Sequence, residues 1–151
     1  MKISATLFAI ALLAGPASAS GDKAMSFYDL TANTLDGAPK NLSDYKGKVL
    51  VVVLGFPSND FGGKEPGTAA EIKTFCEKKY NVAFPMFAKV KTKGEGQSPV
   101  YTFLVAKDGA PKWNFHKYVV GKDGQVTASF PSSVKPDSDE LKNAIEAALK
   151  L

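Results

Sequence analysis

Between Lys48 and Phe56 the chain runs Val49-Leu50-Val51-Val52-Val53-Leu54-Gly55 without a polar side chain. A β-branched run with no polar alternation predicts a central strand covered on both faces, as in a parallel sheet. Further on the period lengthens: Ile72, Phe75, Cys76 and Tyr80 recur at helical spacing behind Thr68-Ala69-Ala70-Glu71. That tetrapeptide is a capping box, its threonine hydroxyl and glutamate carboxylate satisfying free amides, so a helix is predicted from there to about Tyr80. Ser98-Pro99 begins a second helix, with serine as cap and proline in the first turn. Residues 137–140 cap a third, in which Leu141, Ala144, Ile145, Ala148 and Leu149 form the apolar stripe.

Two turn signals place hairpins between these elements. Asp36-Gly37 predicts one hairpin, from residues 26–31 and the residues after the turn; Gly121-Lys122-Asp123-Gly124 predicts another, between Tyr118-Val119-Val120 and residues 125–130. Strand, helix, strand, hairpin and terminal helix is an α/β order consistent with a thioredoxin-like sheet. At 151 residues the chain suffices for one core and is short for two.

The first nineteen residues stand apart from that domain. Lys2 precedes the apolar run Ala5-Thr6-Leu7-Phe8-Ala9-Ile10-Ala11-Leu12-Leu13-Ala14, and Ala17-Ser18-Ala19 follows it. A basic start, a short apolar stretch and an A-x-A site predict a secretory signal peptide over residues 1–19, leaving a domain over residues 20–151 in the periplasm or outside the cell. The run is too short for the roughly 20 apolar residues that span a bilayer, so no stable anchor is expected once the signal is cleaved. Lys2 is the only charged residue removed, taking the formal charge from +4 to +3. All nineteen basic residues are lysine and they are scattered. Without the planar fork of arginine, and without a basic cluster, nucleic acid is not an expected partner.

Cys76 is the only cysteine, so it is free, capped or joined to another molecule. On the predicted helix it is either a small hydrophobe of the buried face or, with Lys73 and Lys79 three residues to either side, a thiol activated by nearby cations. His116 is the only histidine and is expected to be an exposed or hairpin residue; no metal-ligating constellation stands out, and no cofactor is expected. Gly62-Gly63 and Gly67 lack the Lys-Ser/Thr ending of a phosphate loop. Trp113 and Asn114, read alone, are a packing aromatic and a turn residue.

The run Phe56-Pro57-Ser58-Asn59-Asp60-Phe61-Gly62-Gly63-Lys64-Glu65-Pro66-Gly67, followed by Lys112-Trp113-Asn114-Phe115, resembles the glutathione peroxidase family. The resemblance extends from about residue 26 to 149, through Leu42-Ser43-Asp44-Tyr45-Lys46-Gly47-Lys48 and Tyr80-Asn81-Val82-Ala83-Phe84-Pro85-Met86-Phe87. It implies a thioredoxin-like fold with a central mixed sheet flanked by helices. It also implies an ancestral reaction, the reduction of hydrogen peroxide or organic hydroperoxides in the oxidative stress response, with thioredoxin or glutathione as external thiol reductant.

In that family a crossover helix between two parallel strands carries the attacking cysteine or selenocysteine at its head. Here Val53 runs directly into Leu54-Gly55-Phe56-Pro57. Two parallel strands need a connection of about a dozen residues or more, so one strand-helix crossover is expected to be missing, with its nucleophile. The resemblance gives Trp113 and Asn114 as donors to the lost thiolate, Asp60 as a degenerate replacement for the family's glutamine, and Cys76 as the position of a resolving cysteine. An ionised Asp60 accepts and does not donate. The expected product turns over little or not at all, with a redox sensor or mixed-disulfide partner through Cys76, and a redox-silent binding module, as the other readings. Exposed core surface predicts weak stability; the chain is expected to be a monomer or to self-associate non-specifically.

Overall fold

The computed structural model describes residues 24–52 and 56–151. The expected signal peptide over residues 1–19, and Val53, Leu54 and Gly55 of the expected strand, lie outside them. Strands β1 (Thr31–Asn33) and β2 (Pro39–Asn41) form an antiparallel hairpin about Asp36-Gly37. After β3 (Leu50–Val52) come helices α1 (Ala69–Tyr80) and α2 (Pro99–Asp108), strands β4 (Lys117–Val120) and β5 (Val126–Phe130), and helix α3 (Asp139–Lys150).

Residues 27–29 are not part of the first hairpin. They wind into a 3-10 turn because Ser26 caps it: its hydroxyl accepts the Tyr28 amide at 3.3 Å and its own N–H donates to the Asp29 carboxylate at 3.0 Å. The turn is fastened to the β4–β5 loop. Phe27 N–H donates to Gly124 O at 2.9 Å, Ser26 Oγ to Asp123 O at 3.2 Å, and the Tyr28 hydroxyl lies 2.6 Å from Lys48 O and 3.0 Å from Gly121 O.

The larger sheet has the order β3-β4-β5 and is antiparallel throughout among the described residues, with Val51 opposite Val119 and Tyr118 opposite Ser129. On one side Tyr118 and Val120 pack with Phe27, Leu42, Val100 and Leu104; on the other Val119 and Phe130 pack with Leu141 and Ala148 of α3. Helices therefore cover both faces, as the α/β order requires. All four residues of β4 are buried.

Strand β3 departs from its expected place. It pairs only with β4 and forms the border of the sheet, and Val51 is 43% exposed. The apolar run reads as interior, but no neighbour among the described residues occupies its outer side. Helix α1 departs in the same sense. Its capping box forms as expected, Thr68 Oγ1 accepting the Glu71 amide and Glu71 accepting Thr68 N–H at 2.7 Å, and Asn81 ends it in a left-handed conformation. Of its apolar stripe only Ile72 is buried, while Phe75 and Tyr80 are more than half exposed. In α3, Ser138 is the cap, and Leu149 faces solvent. In α2, Pro99 is in the first turn as expected, but Ser98 stands at the cap position without a capping hydrogen bond from its side chain among the described residues.

Candidate functional site

Trp113 and Asn114 lie in the turn before β4, where Phe115 takes φ 61°, a left-handed conformation that a bulky side chain seldom adopts. Asn114 is pinned from both ends. Its Nδ2 donates to Phe61 O at 3.3 Å, and its carbonyl accepts Ser132 Oγ. The Trp113 indole leans on the segment opposite: its ring centre is 6.4 Å from that of Phe61, and its Cη2 would lie 3.6 Å from a Cβ on Gly62. A left-handed backbone at Gly62 (φ 67°) explains glycine there.

This turn closes one wall of a cavity of about 610 Å³, whose opposite wall is α1 with Phe75, Cys76 and Tyr80. The structure therefore brings together three of the four sequence-predicted site residues: Trp113, Asn114 and Cys76. Asp60 is not among the cavity walls. Its Oδ2 instead accepts the Thr92 amide at 2.6 Å and the Thr92 hydroxyl at 2.8 Å. Partial burial pushes the Asp60 carboxyl up, but these bonds, a contact with Ser58 and the Lys93 ammonium outweigh it and hold the group below its ordinary range. It is an ionised structural acceptor that ties the Phe56–Phe61 stretch to the segment before α2. Asn59 is not among the cavity walls either; its Oδ1 accepts Glu65 N–H at 3.0 Å.

Activation of Cys76 by its flanking lysines is overturned. Lys73 is drawn to Asp36, with Nζ 2.9 Å from Oδ1, and Lys79 sits over the rings of Phe75 and Tyr80 at 5.2 and 5.9 Å. Burial, then Glu65 and Glu77, push the thiol above its ordinary value. A half-buried Cys76 is thus held as the thiol at neutral pH, whereas nucleophilic cysteines are thiolates.

His116 also departs from expectation. It is half-buried, lies 4.8 Å ring to ring from Tyr118, lines the same cavity, and its Nε2 is enclosed without a hydrogen-bond partner among the described residues. Burial and the Lys117 ammonium depress its pKa against the opposing Asp108, so the ring is neutral at pH 7. Tyr101, also on the cavity wall, is pushed up to about 12, chiefly by burial. Sequence reasoning missed Thr92, which no motif marks, and Lys117, which it could have found as a lysine heading the wholly apolar Tyr118-Val119-Val120.

As it stands the cavity offers aromatic walls, the indole of Trp113, one neutral imidazole and one protonated thiol, with Ser58, Thr92, Tyr101, Asn114, Lys64 and Glu65 adding further polar side chains to its lining. Among the described residues no group of three or more acidic, cysteine or histidine side chains could hold a metal ion, and no helix is long and apolar enough to cross a membrane.

A family model described as glutathione peroxidase matches residues 49–105. The chain is 37% identical over 164 residues to a hydroperoxy fatty acid reductase gpx1 of Synechocystis sp., covering 82% of this chain and 96% of that one. It is 46% identical over 99 residues to hydroperoxy fatty acid reductase Gpx2 of the same organism, covering 66% of this chain and 64% of that one. Among solved structures, the crystal structure of Trgpx in apo form superposes with a TM-score of 0.64 at 25% identity, over 85% of this chain and 98% of that one. The thioredoxin-like fold expected from the sequence is thereby met.

The lengths of these alignments carry information. Since 82% of 151 residues is about 124, the 164-residue alignment leaves about 40 positions with no counterpart in this chain. By contrast 66% of 151 is about 100, so the 99-residue alignment is nearly free of such gaps.

Proposed function

The chain belongs to the glutathione peroxidase family, and from that premise we propose that it is a disarmed member, retaining the donor side of the peroxidase site and lacking the sulfur that the site served. Reducing a hydroperoxide requires a thiolate to attack one oxygen while a proton reaches the other. The observation that carries the reading is the state of Cys76. It is the chain's only cysteine, and its thiol is held above its ordinary pKa with both neighbouring lysines drawn elsewhere. The roughly 40 unmatched alignment positions, together with a β3 whose outer side lies open, support the loss of the crossover between Val53 and Leu54. The predicted signal peptide adds periplasm or secretion to the proposal.

Hydroperoxide substrate and thiol reductant are the partners the family implies. The test adds hydrogen peroxide or cumene hydroperoxide to the purified chain with thioredoxin or glutathione recycling. The expected loss of peroxide is no faster than with Cys76→Ser. Turnover that depends on Cys76, or sulfenic-acid labelling of it at neutral pH at a rate above that of an unfolded cysteine, overturns the proposal and restores an enzyme or a sensor.

A second reading, a redox-silent binding module, is favoured by Phe75, Tyr80, Phe84, Trp113 and Phe115, each 45% or more exposed around one cavity. Such clustering is a mark of interaction surfaces. Trp113 is the only tryptophan, so its emission reports directly on occupancy, and a candidate partner that leaves it unchanged is not bound there.

A further inference from the structure

Residues 49–52, in and just before β3, line a second cavity, of about 570 Å³, which shares only Phe56, Phe84 and Phe115 with the first among the described residues. Val49, Leu50, Val52, Phe87 and Leu141 supply much of its apolar wall. Among the described residues its charged groups are both lysines, Lys117 and Lys135, and no aspartate or glutamate lines it. Lys117 is 3% exposed. Its Nζ donates to Phe115 O at 2.8 Å, and it forms no ion pair with any carboxylate among the described residues. Ser132, the nearby hydroxyl, is committed to Asn114 O.

An ammonium has three N–H donors, and burying one without a counter-charge is unfavourable unless a partner arrives. Burial accordingly lowers the Lys117 pKa. The volume falls within the roughly 300–1,000 Å³ of small-molecule sites, and the composition, apolar walls around a cationic end, sets the chemistry of what fits. We propose that this cavity binds a single-chain amphiphile with a carboxylate head, the head pairing with Lys117 and the tail lying along the Leu50–Val52 face. The inference stands whether or not the chain reduces peroxides, since it uses neither Cys76 nor Trp113.

Calorimetric titration of the purified chain with decanoate, decanol and decyltrimethylammonium, all below their micellar ranges, tests it. Decanoate is expected to bind saturably, one per chain, about tenfold or more tighter than decanol, the worth of one charge-assisted hydrogen bond, and the cation not at all. Lys117→Met, which keeps length and removes charge, should abolish that preference while leaving decanol within about twofold. Lys135→Met, at an exposed position, should change decanoate affinity by less than about threefold. Equal binding of decanoate and decanol, a preference that survives Lys117→Met, or no saturable binding overturns the proposal. So does light scattering that finds the face closed by a second copy of the chain. Should Lys117→Met fail to fold, Val51→Trp fills the cavity from an exposed position and must remove decanoate binding from a folded protein; retention is equally fatal.

Discussion

Two Asp-Gly turns in this chain have nearly the same backbone and different surroundings, which allows the cost of a side chain to be separated from the cost of a dihedral angle. Gly37 and Gly124 have φ of 82° and 80°. A methyl on Gly37 would meet nothing within 4 Å, whereas on Gly124 it would overlap Ser26 Oγ and lie 2.6 Å from Tyr28 Cδ2. Gly37→Ala should therefore cost the left-handed penalty alone, about 1–2 kcal/mol. Gly124→Ala pays the same and must also displace the 26–28 turn. That movement loses the hydrogen bonds from Phe27 N–H to Gly124 O and from Ser26 Oγ to Asp123 O, each about 1 kcal/mol, and strains the packing of Phe27 and Tyr28 by a further ~1–3 kcal/mol. The sum, about 4–7 kcal/mol, approaches the whole stability of a small domain. Urea unfolding followed by Trp113 emission measures both. With a slope of about 1–3 kcal/mol per molar, the Gly124 variant should lose its folded baseline while the Gly37 variant shifts by only about 0.3–2 M. Equal midpoints would refute the claim that the N-terminal turn is held by the β4–β5 loop.

Asp60→Ala should destabilise by about 1–3 kcal/mol at pH 7, by leaving the Thr92 amide and hydroxyl without their acceptor. Because the folded carboxyl titrates below its ordinary 3.8, its contribution is present above that value and is lost as pH falls through the folded pKa; acid unfolding of the variant should lack that part of the slope. Lys117→Met should stabilise the unliganded chain by about 1–3 kcal/mol at pH 7. The folded lysine sheds its proton below the ordinary 10.5, so wild-type stability should rise with pH up to that value, and the variant should not follow it. Alkylation of Cys76 should show a midpoint above 9.0, and Glu65→Gln with Glu77→Gln should lower it; a midpoint at or below 9.0 in the wild type contradicts the reading of the thiol.

The elements that the sequence disclosed best are those whose signal is local. The Thr68–Glu71 box, Pro99 in the first turn of α2 and the Gly121–Gly124 hairpin all sit where their own side chains and dihedral angles demand. What escaped is what depends on distant partners. The run through Leu50–Val52 reports how that strand would be covered in a full sheet, and cannot report that no second neighbour pairs with it among the described residues. Phe75 and Tyr80 keep helical spacing without a surface to cover them. Lys73 and Lys79 flank Cys76 along the chain, yet Asp36 and two aromatic rings hold them in space. At the candidate site, Trp113 and Asn114 were legible through motif resemblance, while the retreat of Asp60 to Thr92 depends on a contact 32 residues away.

Strand β3 is the border of its sheet among the described residues. Peptide groups along a border are satisfied on one flank by the neighbouring strand and on the other only by water, and Leu50–Val52 carries none of the charges, prolines or bulges with which natural edges discourage addition of another strand. The consequence is thermodynamic as well as chemical: an unpaired flank of this kind is a template, and whatever settles against it, solute or polypeptide, contributes to the stability of the fold.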